Sequence, residues 1–183
     1  PPTGTGLRLL DAATGRSIWN LPSGGSRLAF SPDNRKLAVW ERDGGLVIRD
    51  AATGEGAVVL EGGTEAERVN GPLAWSPDGK YIASACLDHC VRIWDVATRK
   101  SRRFAADENG PKDAFPGYAF VGYLEGGKVL LEAGGGQLRY WDAATGKPAR
   151  ESVDGPWAMS TARLSADGKQ LAACCFDGLV RGL

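Results

Sequence analysis

Three residues around one predicted turn, Cys86, His89 and Cys90, carry side chains that can bind a transition metal. Thiolates and imidazoles are the usual zinc ligands in proteins, and a half site here could be completed by Cys174, by Cys175 or by another chain. The four cysteines do not form two CxxC pairs, and free cysteine commonly packs as a small apolar side chain. The sequence therefore favours two buried thiols beside an exposed histidine, with no metal site.

His89 is the single histidine of the chain, which limits the catalytic arrangements it can build. Three-histidine zinc sites and HExxH metalloproteases need more than one imidazole and are excluded. No Gly-Lys pair precedes Ser or Thr, so there is no P-loop, and the GxSxG elbow is absent as well. The acidic residues Asp43, Asp88 and Asp177 recur at equivalent turns, where we expect them to accept backbone N–H groups. We predict no catalytic residues, no cofactor and no enzymatic activity.

The elements that would position these residues belong to a repeated unit. Similar segments cover residues 28–50, 73–95, 118–142 and 162–183, and an isolated end of the same unit begins at Leu7. Within each copy, apolar residues alternate with polar ones, and Gly, Pro and Asp interrupt them about every eight to twelve residues. That periodicity indicates short β-strands joined by tight turns rather than helices. Each unit is predicted to contain four antiparallel strands.

The repeated unit resembles the WD-repeat β-propeller family, and its turn sequences resemble bacterial members. The resemblance rests on the pairs Trp94-Asp95 and Trp141-Asp142, on Ser-Pro-Asp turns at Ser31 and Ser76, and on recurring Asp-Ala-Ala-Thr-Gly turns. In that family a His, Ser, Asp and Trp tetrad is hydrogen-bonded, but the Gly-His dipeptide that supplies the histidine is absent here. The resemblance implies structural roles for a few residues of the best-matched copies: Ser84, Asp88, Trp94 and Trp141.

The resemblance implies an all-β fold, a β-propeller segment of four-stranded antiparallel blades with about four blades in a partial ring. The whole chain, 1–183, is assigned to this segment, with blades over about 26–60, 71–105 and 117–153 and partial blades over 7–21 and 157–183. These units comprise 17 strands, and propellers close with four to eight blades. Because the chain opens with Pro-Pro and contains one methionine, we expect a larger parent protein. The rest of the parent chain, or a second copy, would complete the ring.

Two functions of different class fit this fold. The first is a non-catalytic protein–protein interaction scaffold within a larger bacterial signalling or regulatory protein. The alternative is a catalytic propeller of the hydrolase or lactonase type with its active site in the central channel. Such a site needs converging carboxylates or histidines, and the chain has one histidine and scattered aspartates. The sequence therefore favours the scaffold.

In the family, partners usually dock on the face formed by the turns between second and third strands and the loops that enter the first strands. Exposed aromatic and arginine side chains are frequent anchors of protein interfaces. The predicted protein-binding residues on this face are Arg42, Arg68, Leu87, His89, Trp157 and Phe176. Alternatively, Leu87 and Phe176 cap the blades.

The charge balance restricts the kind of partner. Lys and Arg number 22, as do Asp and Glu, so the chain lacks the basic excess that nucleic acid and acidic membrane surfaces reward. No apolar run approaches the ~18 residues that span a bilayer, and the first residues lack the features of a signal peptide. We expect a protein or peptide partner, no nucleic acid or membrane, and a cytoplasmic location.

Overall fold

In a computed structural model of the chain, the described residues form β-strands joined by turns, with a short 3-10 turn at Glu125–Gly127. The structure describes residues 6–22, 24–41, 45–60, 69–86, 90–104, 118–134, 136–154, 159–165, 167–175 and 180–182. Seventeen strands lie in these ranges, and every pair of neighbours is antiparallel. The fold is therefore all-β, as predicted.

The strands form five separate sheets, each built from strands consecutive in the chain. Sheet I pairs β1 (Leu7–Leu10) with β2 (Ser17–Leu21). Sheet II contains β3 (Gly25–Phe30), β4 (Lys36–Glu41), β5 (Gly45–Asp50) and β6 (Val58–Leu60). Sheet III contains β7 (Val69–Trp75), β8 (Tyr81–Cys86), β9 (Val91–Asp95) and β10 (Ser101–Phe104). Sheet IV contains β11 (Tyr118–Leu124), β12 (Val129–Gly134), β13 (Gln137–Asp142) and β14 (Pro148–Asp154). Sheet V contains β15 (Met159–Leu164), β16 (Leu171–Cys175) and β17 (Val180–Gly182).

Two kinds of polar turn set the strand lengths. After the first strand of sheet II, Ser31 Oγ donates to Asp33 Oδ1 at 2.6 Å and accepts the Lys36 N–H at 2.9 Å. After the third strand, Asp50 Oδ1 accepts the N–H groups of Ala52 and Thr53, both at 2.9 Å. Hydrogen bonds from Thr53 keep the pKa of Asp50 below its ordinary value. Side-chain bonds of this kind compete with strand ladders, so they end one strand and start the next.

The sheets stand side by side with their first strands adjacent. β3 contacts β7, β7 contacts β11, and β11 contacts β15, so the first strands lie together and the later strands extend outward. Apolar clusters fill the spaces between successive sheets. Between sheets II and III the cluster includes Trp40, Leu46, Trp75, Ile82 and Trp94. This is the arrangement of blades in a partial β-propeller.

Strand alternation explains how one sheet contributes to two clusters. In β4, Ala38 and Trp40 face sheet III, whereas Leu37 and Val39 pack with Leu7 of sheet I. Both faces of sheet II are thus apolar, as expected for a sheet stacked between two others. Sheet IV also has an apolar cluster on each face. Leu130 and Trp141 belong to the cluster shared with sheet III, and Leu131 belongs to the cluster shared with Met159 of sheet V.

One apolar face is left open beside sheet I. In β7, the side chains of Leu73 and Trp75 pack against sheet II and are 7% and 9% exposed. Trp75 Nε1 donates to Ala29 O at 3.0 Å. The equivalent residues of β3, Leu28 and Phe30, are 55% and 44% exposed. They lie opposite Val39 and Leu37, on the face that meets sheet I. Sheet I has two strands among the described residues, and these do not reach the inner part of that face.

Candidate functional site

The predicted docking face cannot be compared with the structure, because its residues lie outside the described ranges. These residues are Arg42, Arg68, Leu87, His89, Trp157 and Phe176. The assignment of this face therefore stays a prediction. Asp88, predicted to be structural, also lies outside the described residues.

The thiols of the Cys86 and Cys90 pair are fully buried at the base of a β8–β9 hairpin. The Cys86 N–H donates to Cys90 O at 2.9 Å, and both side chains belong to the cluster between sheets II and III. Cys174, which could have completed a zinc site, is exposed on β16. Within the described residues, no three His, Cys, Asp or Glu side chains are grouped closely enough to hold a metal ion.

Trp94 and Ser84 lie in the interior of sheet III. The Trp94 ring is fully buried and tilted against Trp40, with 6.4 Å between ring centroids and 59° between planes. Ser84 Oγ donates to Pro72 O at 3.0 Å, which ties β8 to β7. The burial of Trp40 is not predictable from the repeat pattern, because its counterparts Ala85, Glu132 and Cys174 differ in size and polarity.

Trp141 is buried in sheet IV beside a carboxylate that the sequence analysis missed. Trp141 Nε1 donates to Glu132 Oε2 at 3.1 Å, and Arg139 donates to Glu132 Oε1 at 3.2 Å. Glu132 is 1% exposed, and burial raises its pKa although Arg139 and Trp141 oppose the change. Buried carboxylates with a raised pKa can mark active sites. Here both oxygens are engaged between sheets III and IV, so the group is placed to support Trp141 rather than to meet a substrate. The signal available in the sequence was the cross-strand pair of Glu132 with Arg139.

Arg49 takes the place in sheet II that Trp94 takes in sheet III. Its guanidinium donates through Nε to Glu41 Oε1 at 2.9 Å and through Nη1 to Gly54 O at 3.2 Å. Both members of the ion pair are largely buried, with side chains 14% and 19% exposed. The pair therefore holds β4, β5 and the following turn together.

A groove of about 310 Å³ opens between sheets II and III, next to Arg49. It lies where β4 begins and β5 ends, which is the edge of the blades opposite the predicted docking face. The floor is apolar, and the rim carries three cations and one carboxylate. The floor residues are Ile48, Val58 and Val96, Ala97 lies exposed beside them, and the charged rim residues are Lys36, Arg49, Asp50 and Arg99. A groove with an apolar floor and a mainly basic rim can bind a side chain from another molecule.

Comparison with known proteins assigns the repeat. Residues 73–95, which run from the end of β7 through β8 and β9, match the WD40 family, described as "WD domain, G-beta repeat". The chain therefore contains a WD40 repeat, and sheets II and IV repeat the strand order of the sheet that holds it. The descriptions of the relatives likewise name WD-repeat proteins.

The chain is similar to WD repeat-containing protein 1 from several vertebrates. The chicken protein is 27% identical over 194 aligned positions, which cover 83% of this chain and 32% of the chicken protein. The bovine and rat proteins are each 37% identical over 67 positions, which cover 37% of this chain and 11% of each relative. The chain thus spans about a third or less of the relatives' length. These relatives support the WD-repeat family but are eukaryotic, and they do not support the bacterial resemblance of the turns.

No helix in the described part of the chain is long and apolar enough to cross a membrane.

Proposed function

We propose that the chain is a non-catalytic protein–protein interaction scaffold, one segment of a WD-repeat propeller in a larger signalling or regulatory protein. The observation that carries the proposal is the stack of five blade-like sheets around a WD40 repeat. Two carboxylates inside this stack serve the fold: Glu41 is paired with Arg49, and Glu132 with Arg139 and Trp141. Rigid sheets with variable edge loops are suited to presenting a binding surface.

The proposal also covers the origin of the parent protein, its location and the class of its partner. The turn sequences favour a bacterial parent, and the balanced charge favours a cytoplasmic protein that binds a protein or peptide rather than nucleic acid or a membrane. The open apolar face at Leu28 and Phe30 supports a further partner: the rest of the parent chain, or a second copy, which completes sheet I and covers both side chains.

The docking face is tested by pull-down with the full-length parent protein as bait, followed by quantitative binding of a captured partner. Arg42→Ala and Trp157→Ala are expected to weaken that binding, since arginine and tryptophan anchors carry much of an interface's energy. Arg16→Ala is the matched control, because Arg16 is exposed in a turn at the opposite edge of the blades. Unchanged binding with both docking-face variants would show that the face is wrongly assigned.

A further inference from the structure

The junction between sheets II and III has equivalents between sheets I and II and between sheets III and IV, and each of those is bridged by a side chain with an N–H donor. Between sheets I and II, Trp19 Nε1 donates to Ala51 O at 3.0 Å. Between sheets III and IV, the Arg102 guanidinium donates to Ala143 O at 2.6 Å and also to Ala144 O. Ala51 and Ala143 each directly follow the aspartate that closes a third strand. The outer strand of one sheet thus caps the same turn carbonyl of the next sheet.

In sheet II, Val58 occupies the position that Trp19 occupies in sheet I and Arg102 occupies in sheet III. Val58 pairs with Ile48, Trp19 with Leu9, and Arg102 with Ile93. Each of these partners stands two residues before the aspartate that closes its strand. Valine is too short to cross the junction and has no side-chain N–H. The carbonyl to be capped there is that of Val96, which follows Asp95, and among the described residues it accepts no side-chain hydrogen bond. The groove is therefore open because Val58 replaces a long donor side chain.

We propose that this groove binds the indole ring of a tryptophan presented by a partner polypeptide. The ring lies on Ile48, Val58 and Val96, and its N–H donates to the Val96 carbonyl as Trp19 donates to Ala51. An indole suits the site better than a guanidinium, because Lys36 and Arg99 on the rim repel a cation but are attracted to an aromatic face. The inference rests on the proposed function in that the ligand is part of a protein.

The test uses the 183-residue chain and N-acetyl-tryptophanamide as the probe, observed by saturation-transfer difference NMR. Val58→Trp is expected to fill the groove and to reduce the saturable signal about tenfold, the scale of losing a tryptophan anchor. Val59→Trp is the matched control, since Val59 is the next residue of β6, is 60% exposed and points away from the groove. This control is expected to bind the probe like the unmodified chain.

Two results would overturn the proposal: an unchanged signal with Val58→Trp, or equal binding of N-acetyl-phenylalaninamide, whose ring has no N–H. Val58→Phe supplies a second blocking variant, whose uncharged ring occupies the groove, if circular dichroism shows that Val58→Trp is not folded. Because the probe is an amino-acid derivative, a failure here leaves the pull-down test of the scaffold function unaffected. Conversely, loss of a partner through Arg42→Ala and Trp157→Ala says nothing against the groove, which lies at the other edge of the blades.

Discussion

Trp94 and Trp141 are predicted to stabilise the stacking of the sheets. Each indole is buried between two sheets, and a buried tryptophan removes roughly 150–250 Å² from water. At about 25 cal/mol per Å², that area corresponds to about 4–6 kcal/mol, an upper estimate because unfolded chains are partly compact. Trp→Ala at either position is therefore expected to lower the free energy of unfolding by about 3–5 kcal/mol.

A phenylalanine variant separates ring packing from hydrogen bonding at Trp141. Trp141→Phe removes the N–H that Glu132 accepts and leaves a buried carboxylate oxygen without that donor, so it is expected to cost about 1–3 kcal/mol beyond the lost ring volume. The assay is urea unfolding followed by far-UV circular dichroism at one fixed protein concentration. Val59→Ala is the exposed control and should change the free energy of unfolding by less than about 0.5 kcal/mol. A loss below about 1 kcal/mol for both alanine variants would refute the blade assignment.

Glu132→Gln is expected to remove a pH dependence of stability. Burial raises the folded-state pKa of Glu132 above its ordinary 4.5, so the folded state binds the proton more tightly than the unfolded state. The contribution of Glu132 to stability therefore falls as pH rises from about 4.5 through the folded-state pKa. Urea titrations across this range should show the fall in the unmodified chain and not in the variant. Arg102→Ala removes two hydrogen bonds to the sheet IV turn and the contact with the Phe104 ring at 5.1 Å. Thermal unfolding should therefore show a decrease of about 1–2 kcal/mol in the free energy of unfolding. Lys100→Ala is the control and should show no comparable decrease.

The strands were predictable from sequence because the turn chemistry is local. Ser31 and Asp33 bond within five residues of each other, as do Asp50 and Thr53. The Ser–Asp turn recurs in sheets III and V, and the Asp–Thr turn recurs in sheets I, III and IV. A pattern that acts within a few residues can be read without knowing what packs against it. The strand order inside each sheet follows for the same reason, since short turns join neighbours.

The contents of the sheet junctions were less predictable, because they depend on residues distant in the chain. Trp40 is buried by its contact with Trp94, although the equivalent positions in other copies hold alanine, glutamate or cysteine. Glu132 is tolerated inside because Arg139 and Trp141 occupy its two oxygens. The open groove depends on one short residue, Val58, in an outer strand whose sequence varies between copies.

The most direct test of the blade assignment is light scattering on the purified 183-residue chain after size-exclusion chromatography. If sheets I to V are blades of an incomplete ring, the exposed Leu28 and Phe30 face needs a neighbouring blade, and the chain should self-associate or aggregate. The double variant Leu28→Ser, Phe30→Ser should reduce that association. A stable monomer with the 19.3 kDa mass of the unmodified chain would contradict the account.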